Sequence, residues 1–398
     1  MHPARLPCSL MGVQYGINIV FWLTLYLAGE KLMKRSIALA VTNDLATDQR
    51  LHRIAHTLSE NGLRITLIGR WHKNIPGAEL PFRVVRLNPF FQKGFLFYAF
   101  FNIRLFFYLL FHRFDAVTAN DLDTLTACYL ACRIKRVPLL YDSHEYFTGL
   151  PELVDRPFVR SVWQLIERIF LPRIRFASTV CRPVAELYFQ QYGVRMEVIR
   201  NVPWYRPSVT AERESKVRTI IYQGSINVGR GIENVIRALP FLPEVRFVIA
   251  GDGYQRREIE RLVQAEGLAR QVQFTGRLLP DELYRQTLQA DVGVSLEERI
   301  GDNYYFALPN KLFDYIQARI PVLVSAFPAM KEIVDSYGIG VTTESQAPEH
   351  LASLFQQMLY NEALRREWKV NLEKAAHDLC WEKEREKLLK LYRQAKLI

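Results

Sequence analysis

Cysteine is scarce in this chain, and what there is has the wrong spacing for covalent or metal chemistry. Five cysteines in 398 residues, Cys8, Cys128, Cys132, Cys181 and Cys380, are an odd number without a CxxC pair, so neither a disulfide framework nor a zinc site is implied. A reducing, cytoplasmic setting is expected. Cys128 and Cys132 share an expected helix and are assigned to packing. His52 and His56 lack the Glu of a HExxH zinc motif, and the GDG that begins at Gly251 lacks the third glycine and following acid of a dinucleotide fingerprint. Zinc-finger spacing, a helix-turn-helix pattern and an aromatic RNA-binding signature are missing as well, so nucleic acid is not an expected partner.

What is present is the composition of a globular enzyme, 49% hydrophobic and 23% charged, on a chain long enough for two domains. The formal charge of +11 is uneven. Residues 1–205 hold 25 Lys and Arg against 15 Asp and Glu, while residues 206–398 hold 27 against 26. A basic first half suits an anionic membrane surface or an acidic substrate. The first 32 residues pose a separate question. Leu10 to Ala28 is apolar apart from Gln14, Asn18 and Thr24, about long enough to cross a bilayer, which allows an anchor or an uncleaved signal. Yet MKRSIALAVTNDL from Met33 has the form of a natural start, and a chain beginning there is expected to be folded and active.

From Ser36 the pattern alternates strand and helix: SIALAVT, a helix from Asp48 to Glu60, RITLIG, RVVRL, AVTAN, a helix through Cys128, and PLLYDSHE. After Pro203, Pro207 and the polar AERESK stretch, TIIYQGS, RFVIAGDG, VQFTG, DVGVSL and PVLVS supply a second set of strands. The expected fold is α/β, two Rossmann-like domains in tandem facing a cleft at the carboxyl ends of their strands. The divisions read as 1–32 extension or anchor, 33–205 first domain, 206–380 second domain and 381–398 a C-terminal helix, its apolar strip packing back on the first domain. One segment departs from this rhythm. FLFYAFFNIRLFFYLLFHRF, Phe95 to Phe114, is dense in aromatics yet carries Asn102 and Arg104; interfacial, core-covering and spanning placements are all open, with the span disfavoured by the buried Arg it would create.

Two turns carry the phosphate-binding signal. In LPNKLFDYIQARIPVLVS, Leu308 to Ser325, Pro309 opens a helix and Leu312, Phe313 and Ile316 give it an inner face. Free N–H groups at its start beside Lys311 suit phosphate oxygens, although Lys311 and Asp314, three apart, would also make an ordinary surface pair. GSINVGRG from Gly224 follows a strand and places Arg230 between Gly229 and Gly231, where a guanidinium can grip two oxygens. His144 and Glu145 of DSHEYF stand at a strand's carboxyl end, with a buried structural His the alternative. Asp121 and Asp123 have metal-pair spacing but the wrong fold context, so a helix cap or acceptor contact is expected and no metal.

With YQGSINVGRGIENVIRAL, FVIAGDG, VQFTGRL and LPNKLFDYIQARIPVLVS in this order, and VTNDLATDQR, ANDLDTL, YDSHEYF and VIRNVP before them, the chain from Met33 onward resembles glycosyltransferase family 4, in its bacterial branch. The resemblance implies a retaining GT-B enzyme that takes a nucleotide-diphosphate sugar as donor, without cofactor or metal, and a hydroxyl acceptor; the basic first domain and the aromatic segment from Phe95 add the expectation of a glycan or lipid-linked acceptor and of peripheral attachment to the inner face of a membrane. It assigns His144, Arg230 and Lys311 to catalysis, with Gly224, Ser225, Gly276, Arg277, Asn310, Leu312 and Asp314 joining Arg230 and Lys311 on the donor. Asp44, Asp121 and Glu145 become candidate acceptor contacts. Three departures stand out. Phe306 occupies the place of the family's first glutamate, leaving Glu297 or Glu298 to serve; Ser225 replaces a usual Arg; and Arg319 stands where a Gly normally ends the helix. A GT-B nucleotide-sugar epimerase and a non-catalytic sugar-nucleotide-binding subunit are the alternatives.

Overall fold

The computed structural model describes residues 35–70, 80–88, 90–91, 94–208 and 217–398. The expectations for residues 1–32, for a start at Met33 and for the AERESK stretch lie outside the described residues. Two all-parallel sheets account for the alternation. The first holds β1 (Ser36–Asp44), β2 (Arg64–Arg70), β3 (Arg83–Arg86), β4 (Ala116–Asn120), β5 (Leu139–Ser143), β6 (Phe176–Thr179) and β7 (Glu197–Val198) in the order 3-2-1-4-5-6-7. The second holds β8 (Arg218–Gln223), β9 (Val245–Ala250), β10 (Val272–Gly276), β11 (Val292–Ser295), β12 (Val322–Ser325) and β13 (Gly340–Thr343) in the order 10-9-8-11-12-13.

In both sheets the order reverses beside the first strand, which opens a crevice at the carboxyl ends of β1 with β4 and of β8 with β11. Helices cover both faces, so the central strands read as continuous apolar runs: Ile37 to Val41 and Ile220 to Tyr222 are all buried. Register follows from that burial, with Ile37 set between Ile65 and Ala116, and Ile220 between Phe247 and Val292. The helix expected from Asp48 starts at Gln49, with the Asp48 carboxylate capping the Leu51 N–H at 3.0 Å.

The C-terminal helix Trp381–Gln394 crosses back to the first domain. Its buried Trp381 donates from the indole to Thr57 Oγ1 at 2.9 Å, and Tyr392 shares a 2.7 Å hydrogen bond with Thr118. The proline-bearing stretch read as linker is partly strapped down: Pro203 carbonyl accepts from the Trp381 N–H, Tyr205 N–H donates to Glu382 and Arg206 N–H to Gln317.

The aromatic stretch forms helix Gly94–Phe111, the one helix among the described residues long and apolar enough to cross a membrane. Phe97, Phe101, Leu105 and Leu109 recur every fourth residue and are buried, while Phe95, Ile103, Phe107 and Phe111 are exposed. The helix therefore covers the first domain with one face and leaves a second apolar face open. Asn102 bonds the Asp123 carbonyl and the Ala127 N–H, and Arg104 bonds the Asn88 carbonyl, so its two polar residues find partners inside the protein.

Candidate active site

The two crevices face one another across a cleft of 720 Å³. On the second-domain side, β8 ends at Gln223 and the chain turns at Gly224, whose φ of 131° suits glycine alone, with the Lys311 stem close by. Beyond it Gly231 is constrained by space as well, since a Cβ would stand 2.2 Å from the Leu296 carbonyl oxygen. That packing holds the loop carrying Arg230 against the loop that follows β11. Pro309 caps helix Asn310–Gln317, one residue ahead of where the sequence placed it, and aims Lys311 inward.

Lys311, Arg230 and Glu297 meet here. Lys311 Nζ lies 2.9 Å and Arg230 Nη1 3.4 Å from the same atom, Glu297 Oε1. Glu297 is 1% exposed; Ser295 Oγ donates to its other oxygen at 2.7 Å. Burial pushes its carboxyl up, but Lys311 and Arg230 more than reverse this and hold it below its usual range. Burial also lowers the Lys311 ammonium, only partly offset by Glu297, whereas Glu297 outweighs burial at Arg230 and raises it. Tyr222 and Tyr304 supply aromatic faces, 4.3 Å from Lys311 Nζ and 4.4 Å from the Arg230 guanidinium. The partner of Lys311 is thus Glu297 and not Asp314. Asp314 accepts from Gln223 Nε2 at 2.7 Å, and burial, moderated by Arg53 and Arg206, pushes it up to about 6.

On the first-domain side Asp121, at a φ of 60°, leads into helix Leu122–Lys135 without capping it. Its carboxylate instead accepts from the His144 N–H at 2.7 Å and faces His144 Nδ1 at 3.3 Å. His144 Nε2 lies 3.1 Å from Asp142, which Arg50 grips through two hydrogen bonds of 2.8 Å. Burial opposes the imidazolium, but Asp121 and Asp142 prevail and raise His144 to about 9. Both ring nitrogens are therefore engaged, and a sugar hydroxyl must displace a carboxylate to reach one. Glu145 is pushed up to about 7 by burial and by Asp121, and it accepts from Asn303 Nδ2 across the domain seam at 3.1 Å.

Gly224, Ser225, Asn310, Asp44, Asp121 and Glu145 line the cleft with Arg230, Lys311, Asp314 and His144. Five expected residues do not. Gly276 ends the edge strand β10 and Arg277 follows it, two strands away from the crevice; Leu312 is wholly buried on the helix's inner face; Glu298 turns to Asn234 at 3.3 Å; and Glu297 is buried out of the cleft wall. Of the two candidate glutamates, Glu297 joins the cluster. Tyr222, Gln223, Asn303, Tyr304 and Arg50 were not read from the sequence; only Tyr222 and Gln223, ending a strand that leads into the glycine turn, carried a usable signal. Arg319 does adopt the left-handed conformation, φ 57°, a strain of about 1 kcal/mol that its contacts with Glu373 at 3.0 Å and with the Tyr205 ring can offset.

Comparison with known proteins matches this arrangement. The family described as Glycosyl transferases group 1 matches residues 209–375, and Glycosyltransferase Family 4 matches residues 48–203. An uncharacterized glycosyltransferase of Methanocaldococcus jannaschii is 30% identical over 162 residues, covering 38% of this chain and 39% of that protein. Sucrose-phosphate synthase from Thermosynechococcus elongatus superposes with a TM-score of 0.73 at 18% identity over 91% of this chain and 99% of the other. WaaG, a glycosyltransferase involved in lipopolysaccharide biosynthesis, gives 0.69 at 16% over 89% and 99%. Anabaena HepE in complex with UDP and glucose gives 0.69 at 16% over 89% and 98%. The two family matches, one on each domain, and the fold together define a GT-B glycosyltransferase. The chain is a glycosyltransferase of the family 4 type.

Proposed function

We propose that the chain transfers a sugar, with retention of anomeric configuration, from a nucleoside-diphosphate sugar to a hydroxyl acceptor. The observation that carries this is the convergence of Lys311 and Arg230 on one oxygen at the cleft wall, beside a glycine turn that lets backbone approach a ligand. A donor diphosphate there meets both cations, and Glu297 holds them in place until it arrives. Asn310 N–H at the helix start adds a donor, and Asp314 beside Gln223 is placed to hold the ribose.

In the transfer the acceptor oxygen bonds to the anomeric carbon from the leaving-group face. The bond to the diphosphate breaks with its electron pair going to the phosphate oxygen, and the hydroxyl proton passes to that diphosphate. Arg230 and Lys311 stabilise the growing charge without reorganising, the arrangement that generally contributes most to catalysis. Glu145 faces the acceptor side and orients the hydroxyl, and the Asp121–His144–Asp142 array sets the floor of the sugar pocket. No step calls on a protein-held metal.

The reading is supported by relatives of the same fold whose structures hold UDP and glucose or UDP-glucose. It extends to a lipid-linked or glycan acceptor in bacterial surface polysaccharide or glycolipid synthesis, at the cytoplasmic face of the membrane. The open apolar face of helix Gly94–Phe111 and the basic first half would bind that surface. Incubation with UDP-, GDP- and TDP-sugars tests the core of the proposal. Release of nucleoside diphosphate supports it; an isomerised donor would show an epimerase, and binding without turnover a non-catalytic subunit.

A further inference from the structure

A second cavity, of 1130 Å³, lies between helix Gly94–Phe111 and helix Pro157–Phe170. Its walls are mostly apolar, with Tyr98 and Ala99 from the first helix, Val162, Trp163 and Ile166 from the second, and Phe147 below, while Glu152 and Arg156 bring charge to the rim. Trp163 is fixed edge-on between Tyr98 at 5.2 Å and Phe147 at 4.9 Å. At one end the cavity shares Glu145, Arg230, Asn303 and Tyr304 with the polar cleft, so the two are continuous at the point where the acceptor hydroxyl must stand. The exposed Phe95 and Phe158 belong to its lining. Asp123 in the wall is buried and pushed up to about 8, first by burial and then by Asp121, so it is protonated at neutral pH and leaves the wall uncharged there.

We infer that this cavity holds the apolar chain of the acceptor, an acyl or prenyl amphiphile whose hydroxyl-bearing head sits at Glu145 and Arg230. The inference rests on the glycosyltransferase reading and names its acceptor class. A space lined mainly by apolar side chains, with Glu152 and Arg156 its few charged ones away from the cleft, that meets the reaction centre at one end matches a molecule with one polar end. Exposed aromatics beside it give the chain a path outward along surface that is already apolar.

The test uses the full chain with bromoundecyl glucoside and bromobutyl glucoside, each below its critical micelle concentration, and reads quenching of tryptophan fluorescence by bromine. The longer probe should quench a component that disappears in Trp163→Phe, and Ala99→Phe, which fills the cavity, should weaken its binding at least tenfold. Affinity should rise about fourfold for each methylene that enters, the equivalent of about 0.8 kcal/mol. Quenching independent of chain length, or unaltered by both substitutions, overturns the inference. So does a lack of quenching, as would follow if another segment or a second copy filled the space. Nucleoside-diphosphate binding, measured on the same protein, reads the underlying proposal separately: binding of the diphosphate without quenching removes the chain site and leaves the transferase, while quenching without diphosphate binding removes the acceptor assignment.

Discussion

The Lys311 ammonium lies 2.9 Å from Glu297 Oε1, and the Arg230 guanidinium lies 3.4 Å from that same carboxylate oxygen. Glu297 is then the resident counter-anion of the donor site. Replacing it with Gln leaves a buried ammonium unpaired, a loss of about 3 kcal/mol or more when the ion cannot reach water. Glu297→Gln should melt at a lower temperature than the native chain without nucleotide, and recover more of the difference when nucleoside diphosphate is added. Thermal unfolding with and without the diphosphate reads this. Equal ligand-induced shifts in the two proteins would deny Glu297 the role.

Arg230→Ala and Lys311→Ala should each lower kcat/KM for donor about 100-fold, the usual loss when one donor to developing charge is removed. Each truncation still leaves buried Glu297 the other cation and the Ser295 hydroxyl, so the fold should survive. Near-native kinetics in both would place the diphosphate elsewhere.

Asp314→Ala should raise donor KM roughly tenfold while kcat changes little, because a hydrogen bond from the ribose to a charged group contributes about 1.5–3 kcal/mol in ground and transition state alike. Steady-state kinetics at several donor concentrations separates the two parameters. A fall in kcat with KM unchanged would argue for a part in the chemical step.

His144 has a folded pKa of about 9, above its unfolded value of 6.5. Its contribution to stability is therefore fully present below about pH 6.5 and is lost as pH rises through about 9. The melting temperature of the native chain should fall relative to His144→Gln across that window. Glu145 and Asp123, raised to about 7 and about 8, lose stability with rising pH in the same sense in both proteins, and because the His144 charge holds both down, the difference reads the imidazole together with these carboxyl neighbours. Parallel pH profiles would mean that the Asp121–His144–Asp142 array is not ionic.

The exposed face of helix Gly94–Phe111 should bring the full chain down with anionic vesicles, less so with neutral ones, and salt should reverse it. Phe107→Glu with Phe111→Glu should abolish sedimentation, since both rings are exposed and stacked on one another at 6.2 Å. Unchanged sedimentation of that variant would remove the helix from the membrane account.

Strands and crossings were legible because buried parallel strands leave apolar runs, as Ile37 to Val41 does, and because glycine and proline punctuate the turns at Gly224, Gly231 and Pro309. Those turns also exposed Arg230 and Lys311. The choice between Glu297 and Glu298 was not legible, since adjacent residues on an irregular loop point to different sides and only the backbone path, with Glu298 N–H on the Gly229 carbonyl, decides which side chain turns in. Asn303 and Tyr304 were invisible for another reason. They lie on the short helix Asp302–Phe306; Asn303 takes its meaning from meeting Glu145 and Tyr146 of the other domain, and Tyr304 from facing Arg230 on a distant loop. Gly276 and Arg277 were misplaced because a strand's carboxyl end lies at the crevice only near the centre of the sheet, and β10 is at its edge.

The central claim is that Lys311 and Arg230 grip the diphosphate of a nucleotide donor. Equilibrium titration of the native chain and Lys311→Ala with UDP, GDP and TDP, and with uridine, guanosine and thymidine, measures that grip directly. One diphosphate should bind the native chain far more tightly than its nucleoside, and Lys311→Ala should narrow that gap by tenfold or more while leaving the nucleoside's weak affinity as it was. A gap of the same size in both proteins would contradict the account.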